Sequence, residues 1–394
     1  MILVNRQHIC KVMVLMITCS LLAGCTSMTA QKSQLYLSDL YRRIAYRQEG
    51  DYRVIDIFYS TNREVIEKAD TPLRFKPKMI DELTSGVLEI KLDPSIKIGK
   101  MLPSRFKRKG EIGIQNIQKM DNDLFIQNLT KVVKESPHKS LLVLVFGFKD
   151  DFETTAIKAA YFAYLLDVNT PILLFGWPGD QPVTIGGYKR AQKYAEESGP
   201  YLGELLRDII RKVKPERVWI EASSLGCQVV CNAFEHMYKY DDLADRETEI
   251  EDVFLAAPDV GENEFDEKFR HEIVALSDNL TTYVSSNDSA LLISAIINQE
   301  KRVGRQDIKA FKEHKQLEEA KDILYLKSLE PDKIALIDVT PINKATYGHG
   351  YYLEDPLFFD DVYLRIFGNQ PQANRRLYLL KYKGDVDYWI LRSD

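Results

Sequence analysis

Val218-Trp-Ile-Glu-Ala-Ser-Ser-Leu-Gly226 reads as an apolar strand running into a turn of small residues, and Cys227-Gln-Val-Val-Cys-Asn-Ala-Phe-Glu-His-Met237 continues it as a helix. A serine at such a strand-to-helix turn is forced into a sharp elbow. Its hydroxyl is lifted clear of the sheet, and the first N–H groups of the helix point at whatever it attacks. Small residues are needed on both sides because strand and helix approach closely there. Of the three fixed places in G-x-S-x-G, Ser224 and Gly226 hold two and Ala222 stands for the first glycine. Five residues are a weak signal alone, so their weight depends on what surrounds them.

From residue 140 onward, short and continuously apolar strands alternate with helices. The strands are Leu141–Phe146, Pro171–Phe175, 217–221, Asp252–Ala257, Leu280–Val284 and Ile334–Val339. Helices are expected over 152–166, over 190–213 with a weak point at Gly199-Pro200, over 262–275 and over 289–297. This alternation predicts an α/β fold whose mostly parallel central sheet is covered on both faces. Before it, a strand over Tyr52–Ser60 ends at Thr61-Asn62-Arg63, and region 70–115 reads as small strands at a sheet edge. Residues 376–383 and 388–391 predict a terminal β-hairpin. The expected organisation is a leader over 1–24, a tether over 25–40, an N-terminal β-rich region over 41–139, the core over 140–368 and the hairpin over 369–394.

Catalysts in open parallel sheets gather at the carboxyl ends of the strands. Past successive strand ends lie Phe148, Trp177, Ser224, Asp259, Asp288 and His349. The order serine, acid, histidine is that of α/β hydrolases. A serine hydroxyl needs an imidazole to take its proton, and the imidazole needs a carboxylate to fix its tautomer. Among the histidines after the leader, His138 precedes the first core strand, His236 lies far along the elbow helix, and His271 and His314 sit in charged helical segments. His349, between Gly348 and Gly350, follows the last sheet strand. Asp288 is the favoured acid and Asp259 the alternative; each could equally be a helix N-cap. Leu225 N–H and Phe148 N–H are the candidate oxyanion donors, and Trp177 and Tyr188 the candidate pocket walls.

The first residues carry a different signal. Arg6 and Lys11 precede an apolar run over 12–23 that is too short to span a bilayer as a mature helix. It ends in Leu22-Ala-Gly-Cys25, which resembles a bacterial lipobox. That resemblance implies acylation of Cys25 and, with Thr26 following, an anchor in the outer membrane facing the periplasm. Several acyl chains at about 0.8 kcal/mol per buried methylene make such anchoring effectively permanent.

The 394 residues are 45% hydrophobic and 28% charged, ordinary for a globular protein, and the formal net charge of −5 argues against nucleic acid as a partner. Cys227 and Cys231, four apart on one helical face, read as core packing. No metal site and no cofactor is expected, and protein partners stay unassigned.

Phe58-Tyr-Ser-Thr-Asn-Arg63, Val143-Leu-Val-Phe-Gly-Phe-Lys149, Leu174-Phe-Gly-Trp-Pro178, Leu255-Ala-Ala-Pro-Asp-Val260, Tyr283–Leu291 and Gly348-His349 together resemble a family of bacterial α/β-hydrolase-like proteins without a firmly assigned substrate. The likeness covers roughly residues 50–368. It implies a serine-hydrolase fold with Ser224, Asp288 and His349 in the catalytic places. Family members usually carry His-Gly-Phe-Asn where this chain has Phe146-Gly-Phe-Lys149, and Gly/Ala-His-Ser-Met-Gly where it has Ala222-Ser-Ser-Leu-Gly226. The leading expectation is a lipid-anchored envelope serine hydrolase acting on an ester or related acyl bond of a small-molecule or lipid-like substrate. The alternative is a catalytically silent binding or scaffold lipoprotein of the same fold.

Overall fold

The computed structural model describes residues 43–68, 72–94, 96, 110–240, 243, 250–305, 333–368, 377–381 and 387–392. Cys25, the leader and the tether lie outside the described residues, as does His314. The chain divides into two compact units, 1–44 and 45–394. The second contains every strand and helix described below.

One twelve-stranded sheet organises that unit. Its strands in chain order are β1 (Arg47–Glu49), β2 (Tyr52–Ile66), β3 (Arg74–Leu92), β4 (Ile112–Met120), β5 (Ser140–Val145), β6 (Ile172–Phe175), β7 (Arg217–Ser223), β8 (Ile250–Ala256), β9 (Ser277–Val284), β10 (Ile334–Asp338), β11 (Leu377–Lys381) and β12 (Asp387–Leu391). Across the sheet they run β11-β12-β10-β9-β8-β7-β5-β6-β2-β3-β4, with β1 beside β2. Every pairing from β2 through to β12 is parallel. The two edges are antiparallel: β1–β2, β2–β3 and β3–β4 on one side, β11–β12 on the other. The buried, uninterrupted apolar faces of β5, β6 and β7 are what a doubly covered parallel sheet requires.

The helices in chain order are α1 (Asn122–Glu135), α2 (Phe152–Leu166), α3 (Ile185–Asp208), α4 (Gly226–Tyr238), α5 (residues 262–276), α6 (Ser289–Asn298), α7 (Tyr351–Glu354) and α8 (Pro356–Gly368). α2 begins where Asp151 accepts from Thr154 N, and it ends on Asp167 in the left-handed region. Thr184 caps α3 in the same way.

The structure corrects several expectations. The edge strands are long rather than small: β2 runs six residues past Ser60, and β3 spans 19 residues. Polar residues hid the extension. Asn62 and Arg63 are buried inside the strand, where Asn62 donates to Ser198 Oγ at 2.9 Å and Arg63 pairs with Asp180. Gly199-Pro200 does not interrupt α3, which continues into a π-turn over Ile209–Val213. A Cβ on Gly199 would stand 2.3 Å from Asn232 Cβ, so the glycine marks where α3 crosses α4 closely. Three helices escaped the sequence reading, the short α7 among them. α1 has its signal in Asp121 followed by Phe125, Leu129 and Val133 on one buried face. α8 follows Pro356, an N1 proline that could have flagged it.

Among the described residues, no helix is long and apolar enough to cross a membrane.

Candidate active site

Ser224 is held at φ +54°, a left-handed conformation rare for a residue with a Cβ. Its N–H donates to Ala256 O at 2.9 Å, while its own carbonyl accepts from Cys227 N and Asp259 N, each at 3.1 Å. These bonds lock the elbow between β7 and α4. Gly226 is required by contact: a Cβ there would lie 2.3 Å from Val145 O and 2.8 Å from Phe146 O. Ala222, in place of the pattern's first glycine, is fully buried. Cys227 and Cys231 are buried in the core that α4 presents to the sheet, as their spacing implied.

Three side chains far apart in sequence meet above this turn. His349 Nε2 lies 2.8 Å from Ser224 Oγ, and His349 Nδ1 lies 2.7 Å from Asp288 Oδ2. Asp288 is fully buried, whereas the imidazole is 21% exposed and Ser224 8% exposed. The serine is therefore reachable from one side and the acid is sealed. Asp288 does two jobs, because its other oxygen caps α6 by accepting from Leu291 N at 2.9 Å.

Asp259 stands elsewhere. It accepts from Tyr188 Oη at 2.8 Å and Ser294 Oγ at 2.6 Å, and Arg302 Nε lies 3.3 Å away. Its carboxylate is thus engaged with a buried guanidinium rather than with the histidine. The other histidines are also placed apart. His138 stacks with Phe367, His236 bonds Glu204, and His271 meets Tyr238.

The loop after β5 lies directly over the elbow. A Cβ on Gly147 would come 2.7 Å from Ser224 Cβ and 3.1 Å from Leu225 N. The start of α4, at Leu225, therefore faces the 147–148 loop across the serine. That loop is pinned from three directions. Trp177 Nε1 donates to Phe146 O at 2.7 Å, Lys149 N donates to Gly179 O at 2.9 Å, and Lys158 pairs with the Asp150 carboxylate.

Two expected pocket walls come out differently. Trp177, 3% exposed, sits behind the loop and holds it through its indole N–H. Tyr188 touches Phe148 edge-on, with ring centroids 5.7 Å apart, and its hydroxyl joins the Asp259 network. Burial beside the Asp259 charge pushes that phenol above its usual range.

Sequence reasoning missed the ties between the acid and histidine loops. Asn343, buried, donates to Ser285 Oγ at 2.9 Å, Asn287 Oδ1 at 3.0 Å and Gly348 O at 2.6 Å. Asn287 Nδ2 returns a bond to Asn343 O at 3.1 Å. Tyr351 Oη accepts from Ala257 N at 2.7 Å and donates to Tyr283 O at 2.9 Å, joining the ends of β8 and β9 beneath the site. Gly348 is not a flexible hinge. It holds φ +66°, and a Cβ there would stand 2.4 Å from Asn287 O, so the histidine turn is pressed onto the acid loop. An asparagine in a loop has no sequence signature for this role.

A wide, mostly parallel sheet with a nucleophile-elbow turn after a central strand defines an α/β hydrolase. The chain belongs to the family described as "Alpha/beta hydrolase of unknown function (DUF900)", which matches residues 121–366. No curated protein matches. Solved structures similar to this chain include esterase B from Lactobacillus rhamnosis, crystallised with a tributyrin phosphonate, at 10% identity, TM-score 0.25, covering 80% of this chain and 94% of the esterase. A putative hydrolase from Agrobacterium vitis S4 is 11% identical, at TM-score 0.24, over 61% of this chain and 87% of its own. An endo-β-N-acetylglucosaminidase from Cordyceps militaris is 7% identical, at TM-score 0.25, over 68% and 84%. Likenesses this distant carry no weight for function.

Proposed function

We propose that this protein is a serine hydrolase cleaving an ester or related acyl bond, anchored to the cell envelope through an acylated Cys25. The observation that carries the catalytic part is the unbroken chain of two hydrogen bonds, 2.8 Å from Ser224 Oγ to His349 Nε2 and 2.7 Å from His349 Nδ1 to Asp288 Oδ2.

In this reading Ser224 Oγ attacks the carbonyl carbon of the acyl substrate as His349 Nε2 takes its proton. Asp288 keeps the Nδ1 proton facing itself, which leaves Nε2 free to accept, and it stabilises the imidazolium that forms. The oxyanion is held by Leu225 N–H at the start of α4 and by Phe148 N–H, each such donor contributing about 3 kcal/mol to the transition state. The leaving alcohol takes the proton back from Nε2. Water, deprotonated by the same nitrogen, then attacks the acyl-serine and releases the acid.

Two features support this division of labour. The positive φ of Ser224 is strain stored at the nucleophile. The acid is sealed while the serine and the imidazole stay reachable.

A fluorophosphonate probe tests the proposal. It forms a phosphoryl-serine only with an activated hydroxyl, so the expected result is labelling of the wild-type protein that vanishes in Ser224→Ala. Absence of labelling in a folded wild-type protein, under conditions that label a control esterase, would leave the silent scaffold lipoprotein as the better reading. The anchor is tested separately, by metabolic incorporation of palmitate that is lost in Cys25→Ser.

A further inference from the structure

Five large apolar side chains among the described residues are more than half exposed: Val183 (76%), Ile185 (67%), Ile293 (59%), Ile296 (69%) and Tyr347 (76%). All five belong to three segments that also hold the site. Ile185 lies one turn before Tyr188 on α3, and Tyr188 packs on Phe148 and bonds Ser294 of α6. Lys189, on the same side of α3, bonds Asn298 of α6, so the two helices stand side by side. α6 itself is capped by Asp288, and Tyr347 lies two residues before His349.

The fold holds these side chains outward rather than leaving them on a loose loop. A Cβ on Gly187 would meet Pro182 O at 2.0 Å, which fixes the tight turn carrying Val183 and Ile185. On α6, Leu292, Ile293 and Ile296 share the exposed face, with Leu292 41% exposed. The helix sequence, Ser-Ala-Leu-Leu-Ile-Ser-Ala-Ile-Ile-Asn, has no charged residue at all. An uncharged helix that turns an apolar face outward belongs against a core, a partner or lipid.

Charge says which cover it takes. Residues 181–188, 289–299 and 345–348 contain no acidic or basic side chain. Exposed Lys189, Arg190, Lys301 and Lys344 stand beside these stretches, while the adjoining acids are Asp180, paired with Arg63, buried Asp288 and the part-exposed Glu300. An aliphatic face tipped by an exposed tyrosine, whose exposed charged neighbours are cations, matches a bilayer surface bearing anionic phospholipid.

We propose that this rim is a membrane-docking surface for bilayers containing anionic phospholipid, so that a lipid acyl chain reaches Ser224 without leaving the apolar phase. The docking itself stands on the surface alone. The lipid substrate rests on the serine-hydrolase reading.

The full chain carrying Cys25→Ser, which removes the candidate lipid anchor, is the form to test. It is sedimented with vesicles of phosphatidylcholine alone and with about one-third phosphatidylglycerol. The expected result is partition onto the anionic vesicles that weakens as salt rises. Partition should fall about tenfold for each of Ile185→Ser, Ile293→Ser and Ile296→Ser. Circular dichroism confirms folding of each variant, and exposed positions tolerate such changes. Ser224→Ala should bind vesicles like the parent, so failure of the hydrolase reading and failure of docking are separate results. Undiminished partition of the triple serine variant would overturn the proposal, and so would a parent chain that ignores anionic vesicles. A parent dimer that the serine substitutions split, with no vesicle binding, would also overturn it by assigning the face to a second copy.

Discussion

Asp288 and Asp259 both follow strand ends, and exchanging each for asparagine should separate catalysis from stability. In Asp288→Asn, the cap on α6 survives, because asparagine caps helices about as well as aspartate and can keep one oxygen on Leu291 N. That choice puts the new NH₂ group opposite His349 Nδ1, where the carboxylate oxygen stood at 2.7 Å. The imidazole must then accept at Nδ1 and carry its proton on Nε2, 2.8 Å from Ser224 Oγ. With its basic nitrogen turned away from the serine, the rate of labelling or ester turnover should fall about 10⁴-fold while the fold is retained. Asp259→Asn removes the carboxylate beside Arg302, and both groups are only 5% exposed. The other acidic group near that guanidinium is Glu300, 4.0 Å away. A buried cation left so poorly matched should destabilise the protein by about 3 kcal/mol. The triad bonds are untouched, so the folded fraction should keep its labelling rate within a factor of about ten. The assay is the labelling rate per folded molecule, alongside urea unfolding of each variant. The reasoning fails if Asp288→Asn labels at the wild-type rate, or if folded Asp259→Asn cannot be labelled.

Three further outcomes follow from the same contacts. Asn343→Ala removes the donors that hold Gly348 O and Asn287 Oδ1, so stability should drop by about 1–3 kcal/mol and kcat about 10²-fold with KM little changed, as steady-state ester kinetics would show. Glu221 is buried on β7 with neither carboxyl oxygen hydrogen-bonded, and burial holds its carboxyl well above the usual range against the opposing pull of Lys158. It therefore keeps its proton to higher pH when folded than when unfolded, where it ionises above about pH 4.3. Its unfolded form binds fewer protons, so the stability gap between Glu221→Gln and wild type should widen in favour of the amide as pH rises from 5 to 8, measured by urea unfolding. Lys149, exposed, sits at φ +82°, a conformation asparagine tolerates better. Lys149→Asn should raise stability by about 0.5–1 kcal/mol with its N–H bond to Gly179 intact, read from thermal melts.

The elbow was legible because its constraint is local. Strand, small residues and helix within nine positions leave few other readings, and Gly226 is needed for a contact between neighbours in the sheet. Order along the chain favoured Asp288 and left Asp259 as the alternative; what sets the two apart was not legible there. The distinction turns on Arg302, 43 positions from Asp259, which already occupies that carboxylate. The edge strands were undercounted for a related reason. Thr61, Asn62 and Arg63 read as a strand's polar end, yet they are buried because Gly176 O, Ser198 and Asp180 arrive from distant segments to satisfy them. Polar residues whose partners are remote look like surface until the fold is known. The same blindness hid Asn343.

The resemblance leads one to expect histidine where this chain has Phe146 and Ser223, and the contacts around Phe146 indicate what supports the turn instead. Phe146 packs edge-on against Phe162 and offers its carbonyl to Trp177. Lys158, 6.0 Å from the Phe146 ring centroid, also pairs with Asp150 on the far side of the loop. The loop over Ser224 is thus tied at its backbone and at Asp150, not through the side chain at 146. The close approaches that shape the elbow are made by Gly147 and Gly226, both of which the chain retains. A histidine restored at 146 would have to fit among Phe162, Lys158 and Trp177, where its ring nitrogens would meet an aromatic face and a cation. Phe146 is therefore fitted to the surrounding packing, and Phe146→His should destabilise the loop rather than improve the site.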